Sequence, residues 1–257
     1  MKQMIQDFIK KNLPQATKRQ LRKLLWKSNH LHHTLRSGLQ VQISSNSDWY
    51  IYNEIFVDRD YDPAIDMALQ CSAGQMLNIV DLGANVGLFT MRVVDKVRTG
   101  NPGREFHITA VEGNPITASR LKHSVTINGL GQNVKVVHGL VGNKTGSALI
   151  SDLEFSGNNS IATASDQGTM VDYVNLSNTI SEKMAIDLLK CDIEGSELSF
   201  VESYPDILSR TRVAIVELHP MLCDSNRCKS LLKECGFDRS RQIMEKDAVV
   251  LMQFWRS

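Results

Sequence analysis

The chain has 257 residues, 42% of them hydrophobic and 22% charged, with a net charge of +1. That length fits one large α/β domain or one domain with an appendage. No apolar run reaches the roughly 18 residues a bilayer-spanning helix needs, and the charged N-terminus does not read as a secretory signal. Five cysteines, an odd number spread along the chain, argue for reduced thiols and hence a cytoplasmic location.

The small net charge hides an asymmetry. Residues 1–38 carry nine Lys or Arg against the single acid Asp7, a net of +8 that leaves −7 for the remainder. Met1, Met4, Ile5, Phe8 and Ile9 recur at helical spacing, and Leu21, Leu24, Leu25 and Trp26 suggest a second short amphipathic helix after Pro14. This basic helical arm could pack on the acidic body, join a second subunit, or meet a membrane surface or other anionic partner. A nucleic-acid role is disfavoured, because aromatic residues hardly interleave with the basic ones.

After Gly38, "LQVQIS" alternates with period two, "DWYIYNEIF" is aromatic and strand-like, and "DPAIDMALQC" is helical with Pro63 near its start. From residue 77 a regular alternation begins. Strands are predicted at 77–82, 106–112, 134–141, 186–192 and 213–218, with helices at 86–97, 115–128, 196–209 and 225–236. Continuous apolar strands separated by helices specify a parallel sheet buried on both faces. The last two strands, 239–245 and 248–255, are joined by "EKDA", which leaves no room for a helix, so they must form an antiparallel hairpin. Residues 142–183, rich in Gly, Ser, Asn and Thr, read as an insertion over the sheet edge, with β-like pieces near 147–150 and 169–175. The domain proper is therefore 39–257.

The turn after the first of these strands reads "DLGANVGLFT". Gly83 and Gly87 permit positive φ and a close approach of ligand to backbone, and the following helix N-terminus offers free N–H groups. Asp81 puts a negative charge beside them, which argues against a pyrophosphate, and Asn85 stands where the dinucleotide pattern has a glycine. The second strand ends in "AVEGNP", where Glu112 can accept hydrogen bonds from both ribose hydroxyls of a nucleoside.

With "VDLGANVGLFT", "AVEGNP", "LLKCDIEGSE" and "VELHP" in this order, the chain resembles the class I S-adenosylmethionine-dependent methyltransferases, and more closely the FkbM family, over roughly residues 50–255. The resemblance implies a doubly wound, mostly parallel, seven-stranded Rossmann-like α/β sheet whose last strand is antiparallel. It implies S-adenosyl-L-methionine as cofactor, with Asp81, Gly83, Asn85 and Gly87 lining the methionine moiety, Glu112 the ribose, and Ala84 and Gly113 also in the cofactor site. Gly139 and Leu140 would lie near the adenine, and Asp192 would complete the cofactor site. The implied activity is O-methylation of a hydroxyl on a sugar, glycan or small natural product. The chain departs from the family where a Leu-Asp pair is usual, reading "VNLSNTI" with Ser177 after the leucine. An NAD- or nucleotide-sugar-binding oxidoreductase and a non-catalytic cofactor-binding protein are the competing readings.

Sites in open α/β sheets lie at the carboxyl ends of the strands. Candidate catalytic groups there are Asp192 and Glu194 after the fourth strand of the alternation, and Glu217 and His219 after the fifth. Asp192 and Glu194, two apart, could raise one another's pKa or bind a divalent cation. His219 could act as a base near neutral pH. Glu197 opens the next helix, where an acid suits the dipole, so a cap and a functional role both stay open. No dedicated metal-ligand spacing is present, so no metal ligand set is assigned.

Overall fold

The computed structural model describes residues 31–72, 76–151, 168–246 and 248–257. The predicted arm helices at 1–26 lie outside the described residues. Strands β1 (Leu31–Thr34) and β2 (Gln40–Ile43) form an antiparallel hairpin that straddles residue 38, so the described end of the arm pairs with the domain.

Next come helix α1 (Asn46–Tyr52), continued by a π turn at Asn53–Asp58, and helix α2 (Asp62–Cys71). The strand expected over "DWYIYNEIF" is thus a helix. Its aromatics raise strand propensity, but two local facts win. Ser45 and Asp48 form a reciprocal capping box. Trp49, Tyr52 and Phe56 fall at helical three- and four-residue steps and stack, with ring centroids 5.8 and 5.0 Å apart. Arg120 then pairs with Asp48 and ties this helix to the sheet-covering layer.

The core follows the predicted alternation: β3 (Leu77–Leu82), α3 (Leu88–Gly100), β4 (Phe106–Glu112), α4 (Pro115–Ile127), β5 (Val134–His138), β6 (Ser147–Ser151) and β7 (Gly168–Asp172). A short helix α5 (Leu176–Thr179) precedes β8 (Ile186–Cys191). The chain ends with α6 (Glu197–Ser203), α7 (Pro205–Ser209), β9 (Thr211–Leu218), α8 (Ser225–Glu234), β10 (Arg239–Lys246) and β11 (Val249–Trp255). The helix predicted at 196–209 is two helices, because Pro205 cannot donate its backbone N–H to a continuing turn and starts a new one.

Seven strands make one sheet in the order β10-β11-β9-β8-β3-β4-β5. β5, β4, β3, β8 and β9 run parallel, while β11 is antiparallel to both β9 and β10. The architecture is the doubly wound, mostly parallel Rossmann-like sheet with the terminal hairpin that the sequence predicts. Strand side chains alternate between two cores. Ile79 packs on the face covered by α2, α3 and α4, and Val80 and Leu82 on the face covered by α6, α7 and α8. All three are fully buried, each contributing about 1.5–3 kcal/mol of hydrophobic stabilisation. Inside the predicted insertion, β6 and β7 pair as an antiparallel hairpin. It is tied to the sheet edge where the Leu140 N–H donates to the Asp172 carbonyl at 2.9 Å. Among the described residues no helix is long and apolar enough to cross a membrane, and all five cysteines are free.

Candidate active site

Order reversal in the sheet occurs between β3 and β8, and the glycine turn leaves β3 there. The turn depends on backbone shapes that side chains disfavour: Gly83 at φ 70°, Asn85 at 50° and Gly87 at 91°. A Cβ on Gly83 would sit 1.7 Å from the Asp192 carbonyl oxygen, so the turn and the end of β8 touch backbone to backbone. Gly83 and Ala84 both donate to the Val111 carbonyl, at 3.0 and 2.9 Å.

Glu112 closes the other side of the turn. Its carboxylate is nine-tenths buried, with one oxygen accepting from the Asn85 N–H and the other from the Asn114 N–H, both at 2.8 Å. Burial raises its carboxyl above the usual range, against the pull of these two donors. Each oxygen keeps a lone pair for a further donor. Beyond it, the Glu112 carbonyl accepts from the Gly139 N–H at 3.0 Å, and Gly113 lies against Leu140 and Ile150. Gly113, Gly139 and Leu140 are thereby gathered beneath the β6–β7 hairpin.

Asp81 is placed otherwise than its sequence role suggests. Fully buried, it accepts from the Thr90 hydroxyl at 2.7 Å and lies 3.7 Å from the Lys190 ammonium, while its Oδ1 has no hydrogen-bond donor. The ammonium offsets its charge, so the argument from an unbalanced anion against pyrophosphate does not hold, and the missing glycine pattern is what separates this turn from a dinucleotide site.

Lys190 was missed by the sequence reading. Its Nζ donates to the Gly83 carbonyl at 2.8 Å and to Asp192 at 3.2 Å, with the Leu82 carbonyl at 3.5 Å. Burial works against its charge, but Asp192 and Asp81 more than compensate and hold the ammonium above a free lysine. A lysine inside the apolar run "IDLLKC" was the available signal.

Past Asp192 lies a cluster of acids around one imidazole. Glu197, fully buried at the start of α6, accepts from the Gly195 N–H at 3.0 Å and holds His219 Nδ1 at 2.8 Å. Its second oxygen receives the Cys223 thiol at 3.3 Å. Glu197 thus stands in the first turn of α6, where an acid suits the dipole, and orients the His219 ring. His219 Nε2 faces Glu194 Oε2 at 3.4 Å and Glu217 Oε1 at 3.7 Å. Tyr61, from the start of α2, donates its hydroxyl to Glu217 at 3.1 Å. Burial and the Asp192 charge push Glu194 up to about 7 and Glu217 to about 8. Burial disfavours the imidazolium, but Glu197, then Glu194 and Asp192, outweigh it and raise His219 to about 9. The ring therefore carries a proton at neutral pH. Glu194 and then Glu217 ionise at lower pH than the imidazolium, so the carboxylates suit the task better than His219, with Glu217 able to accept a proton only as it ionises above neutral pH.

The structure therefore brings the predicted residues into three contiguous groups. The turn with Glu112 and Asp192 is linked by Lys190, the pair Gly139 and Leu140 flanks it, and Glu194, Glu217 and His219 stand beyond. The model of the methyltransferase FkbM domain matches residues 81–239. The chain belongs to the FkbM methyltransferase family. A solved FkbM methyltransferase from Methylobacillus flagellatus KT shares 18% identity at a TM-score of 0.48, over 70% of this chain and 44% of that one. This chain thus spans less than half the length of that protein. The N-terminal domain of human METTL16 in complex with SAH has 12% identity and a TM-score of 0.47 over 91% of this chain and 94% of that one. A Thermus thermophilus 16S rRNA N2 G1207 methyltransferase in complex with AdoMet and guanosine has 13% identity and a TM-score of 0.47, over 89% and 50%. No curated protein matches the chain.

Family membership sets the oxidoreductase reading aside. A methyltransferase domain of this family is expected to take S-adenosylmethionine as its cofactor, and the residues present fit it. The Gly83 turn packs backbone to backbone on the end of β8 at the mouth of the site, and the buried Glu112 carboxylate keeps acceptor capacity for ribose hydroxyls.

Proposed function

We propose that the chain transfers the methyl group of S-adenosylmethionine to a hydroxyl of a sugar, a glycan or a small natural product. The observation that carries this reading is the set of carboxylates beyond Asp192, with Glu217 held by Tyr61 and Glu194 beside His219. A neutral amine already presents its lone pair, whereas a hydroxyl must lose a proton as it attacks, and these groups supply the acceptors.

When bound, the cofactor supplies a methyl group activated by its sulfonium. Everything else is done by the chain's own residues. Glu112 and the turn from Gly83 to Gly87 fix the nucleoside and methionine ends, and Gly139 and Leu140 flank the base. Lys190 holds the Gly83 carbonyl and the Asp192 carboxylate as one unit, so the cofactor side and the acceptor side keep a fixed spacing. Glu217, in its ionised form, takes the hydroxyl proton, at a contribution of about 10²–10⁴-fold in rate. The basic segment 1–38 is proposed to pack on the acidic body or on a second subunit.

The test is incubation with isotopically labelled S-adenosylmethionine and matched panels of polyhydroxyl and amine acceptors, read by mass spectrometry. Methyl ethers support the reading. N-methyl products alone, or no product with any acceptor, contradict it, and the second outcome favours a cofactor-binding protein without catalysis.

A further inference from the structure

Asp192, Glu194 and His219 each offer one ligand atom, and these three atoms all lie within 4.8 Å of one another. They come from the ends of the adjacent parallel strands β8 and β9. Two observations separate the trio from an ordinary group of surface acids. The His219 side chain is only 6% exposed, and the fully buried Glu197 grips its Nδ1 at 2.8 Å, leaving Nε2 as the free corner of the ring. The carboxylate oxygens nearest to Nε2 stand at 3.4 and 3.7 Å, beyond the roughly 2.7–3.2 Å of an N–H···O bond. A proton on Nε2 therefore has no well-placed acceptor. Glu194 Oε2, the nearer of the two oxygens, is itself shut off from solvent with no hydrogen-bond donor. The imidazolium faces it at ion-pair range but beyond hydrogen-bond length, so a cation seated between the two would satisfy this oxygen better than the ring proton does.

A ring nitrogen whose partner nitrogen is clamped by a buried carboxylate, facing an unsatisfied carboxylate oxygen, is the arrangement of a histidine metal ligand with its orienting acid. Two donors on one cation at bonds of about 2.1 Å lie about 3–4.2 Å apart. Nε2 and Glu194 Oε2 already satisfy this at 3.4 Å. We propose that Asp192, Glu194 and His219 bind one divalent transition cation on the acceptor side of the site. Asp192 and Glu194 are legible in the sequence as a possible cation pair, whereas His219 joins them only because the fold sets the end of β9 beside the end of β8. An imidazole with two carboxylates suits Mn²⁺, Fe²⁺ or Zn²⁺ better than the all-oxygen preference of Mg²⁺ or Ca²⁺. The cation takes the place of the Nε2 proton, which leaves for solvent. It also offsets the negative charge of the surrounding acids, which the Lys190 ammonium balances only in part. Its purpose rests on the hydroxyl-methylation reading: the cation would bind the acceptor oxygen and ease loss of its proton, with Glu217, outside the ligand set, receiving it.

The experiment is calorimetric titration of the full chain with MnCl₂ and with ZnCl₂, each with S-adenosylhomocysteine titrated into the same preparation. The expected result is one cation per chain, weakened at least 10-fold in Glu194→Gln and about 10–100-fold in Glu197→Gln, which frees the ring. Glu245→Gln, on an exposed hairpin strand, should leave it unchanged. Circular dichroism confirms that the variants fold. In the wild type alone, bound Mn²⁺ should broaden the His219 ring resonances in NMR spectra. Absence of stoichiometric uptake of either cation, equal uptake by Glu194→Gln and wild type, or unbroadened His219 resonances would overturn the cation site. Uptake of S-adenosylhomocysteine without any cation overturns this proposal alone, whereas failure to bind S-adenosylhomocysteine strikes the methyl-transfer reading.

Discussion

Replacing Lys190 with Met keeps the length and apolar stem of the side chain and removes only the ammonium. Three acceptors lose their donor: the Gly83 carbonyl at 2.8 Å, Asp192 at 3.2 Å and the Leu82 carbonyl at 3.5 Å. Asp81, already without a hydrogen bond at Oδ1, loses the cation 3.7 Å away. Breaking a buried ion pair from one side costs about 3–5 kcal/mol. Asp192 is 25% exposed and regains some hydration, so the lower end, about 3 kcal/mol, is expected. For a chain of this size that lowers the melting temperature by about 6–12 °C. The sign with pH is also fixed. The lysine's folded pKa is raised, so its contribution is fully present below the unfolded value near 10.4 and is lost only at more alkaline pH. In the variant, burial already holds Asp81 above its usual range, and without the ammonium it rises further. Its protonation relieves the lesion, so the gap between variant and wild type should narrow from pH 7 to pH 5. Melting followed by circular dichroism across that range is the assay. A loss of under about 1 kcal/mol, or a gap that widens on acidification, would refute the reasoning.

Three further outcomes are expected. Glu217→Gln should lower kcat by about 10²–10⁴-fold while S-adenosylhomocysteine affinity measured by calorimetry stays unchanged. Gly83→Ala should abolish cofactor binding even where the protein folds, because the new Cβ meets the Asp192 carbonyl at 1.7 Å; calorimetry with S-adenosylhomocysteine checks it. Asp62→Asn should cost about 1–3 kcal/mol, since Asp62 accepts two hydrogen bonds from Arg92 and an ion pair from Lys96. Burial works against the charge of Asp62, but Arg92 and Lys96 prevail and hold its folded pKa below the free value. Its contribution is therefore present above about pH 4 and lost progressively on further acidification through the lowered folded value, and urea titrations at pH 7 and pH 3 should show the variant's deficit narrowing at the lower pH.

The sheet and its closing hairpin were legible because buried parallel strands are continuous apolar runs and "EKDA" is too short for a crossover. The place of Glu112 beside the glycine turn was legible because sites in such sheets lie at the strand ends. The aromatic segment after Ser45 misled because composition was weighed above spacing, although "SNSD" already carried the capping box. Lys190, Tyr61 and the true partners of Asp81 and Glu197 depend on contacts across the sheet. Tyr61 meets Glu217 across 156 positions, and Lys190 meets Gly83 across 107. No local period encodes such a meeting. A charged residue in an apolar strand marks that a partner must exist, and only the fold shows which.

The central claim is that the Gly83–Gly87 turn and Glu112 hold S-adenosylmethionine. Calorimetry of wild type and Glu112→Gln with S-adenosylhomocysteine tests it most directly. The amide keeps one acceptor oxygen, so either Asn85 or Asn114 loses its partner and the ribose loses a charged one. That should cost about 1.5–3 kcal/mol, or about 10–100-fold in Kd. One molecule bound per chain by the wild type, with the variant weakened by that factor, is the predicted result; no binding by the wild type, or equal binding by both, would contradict the account.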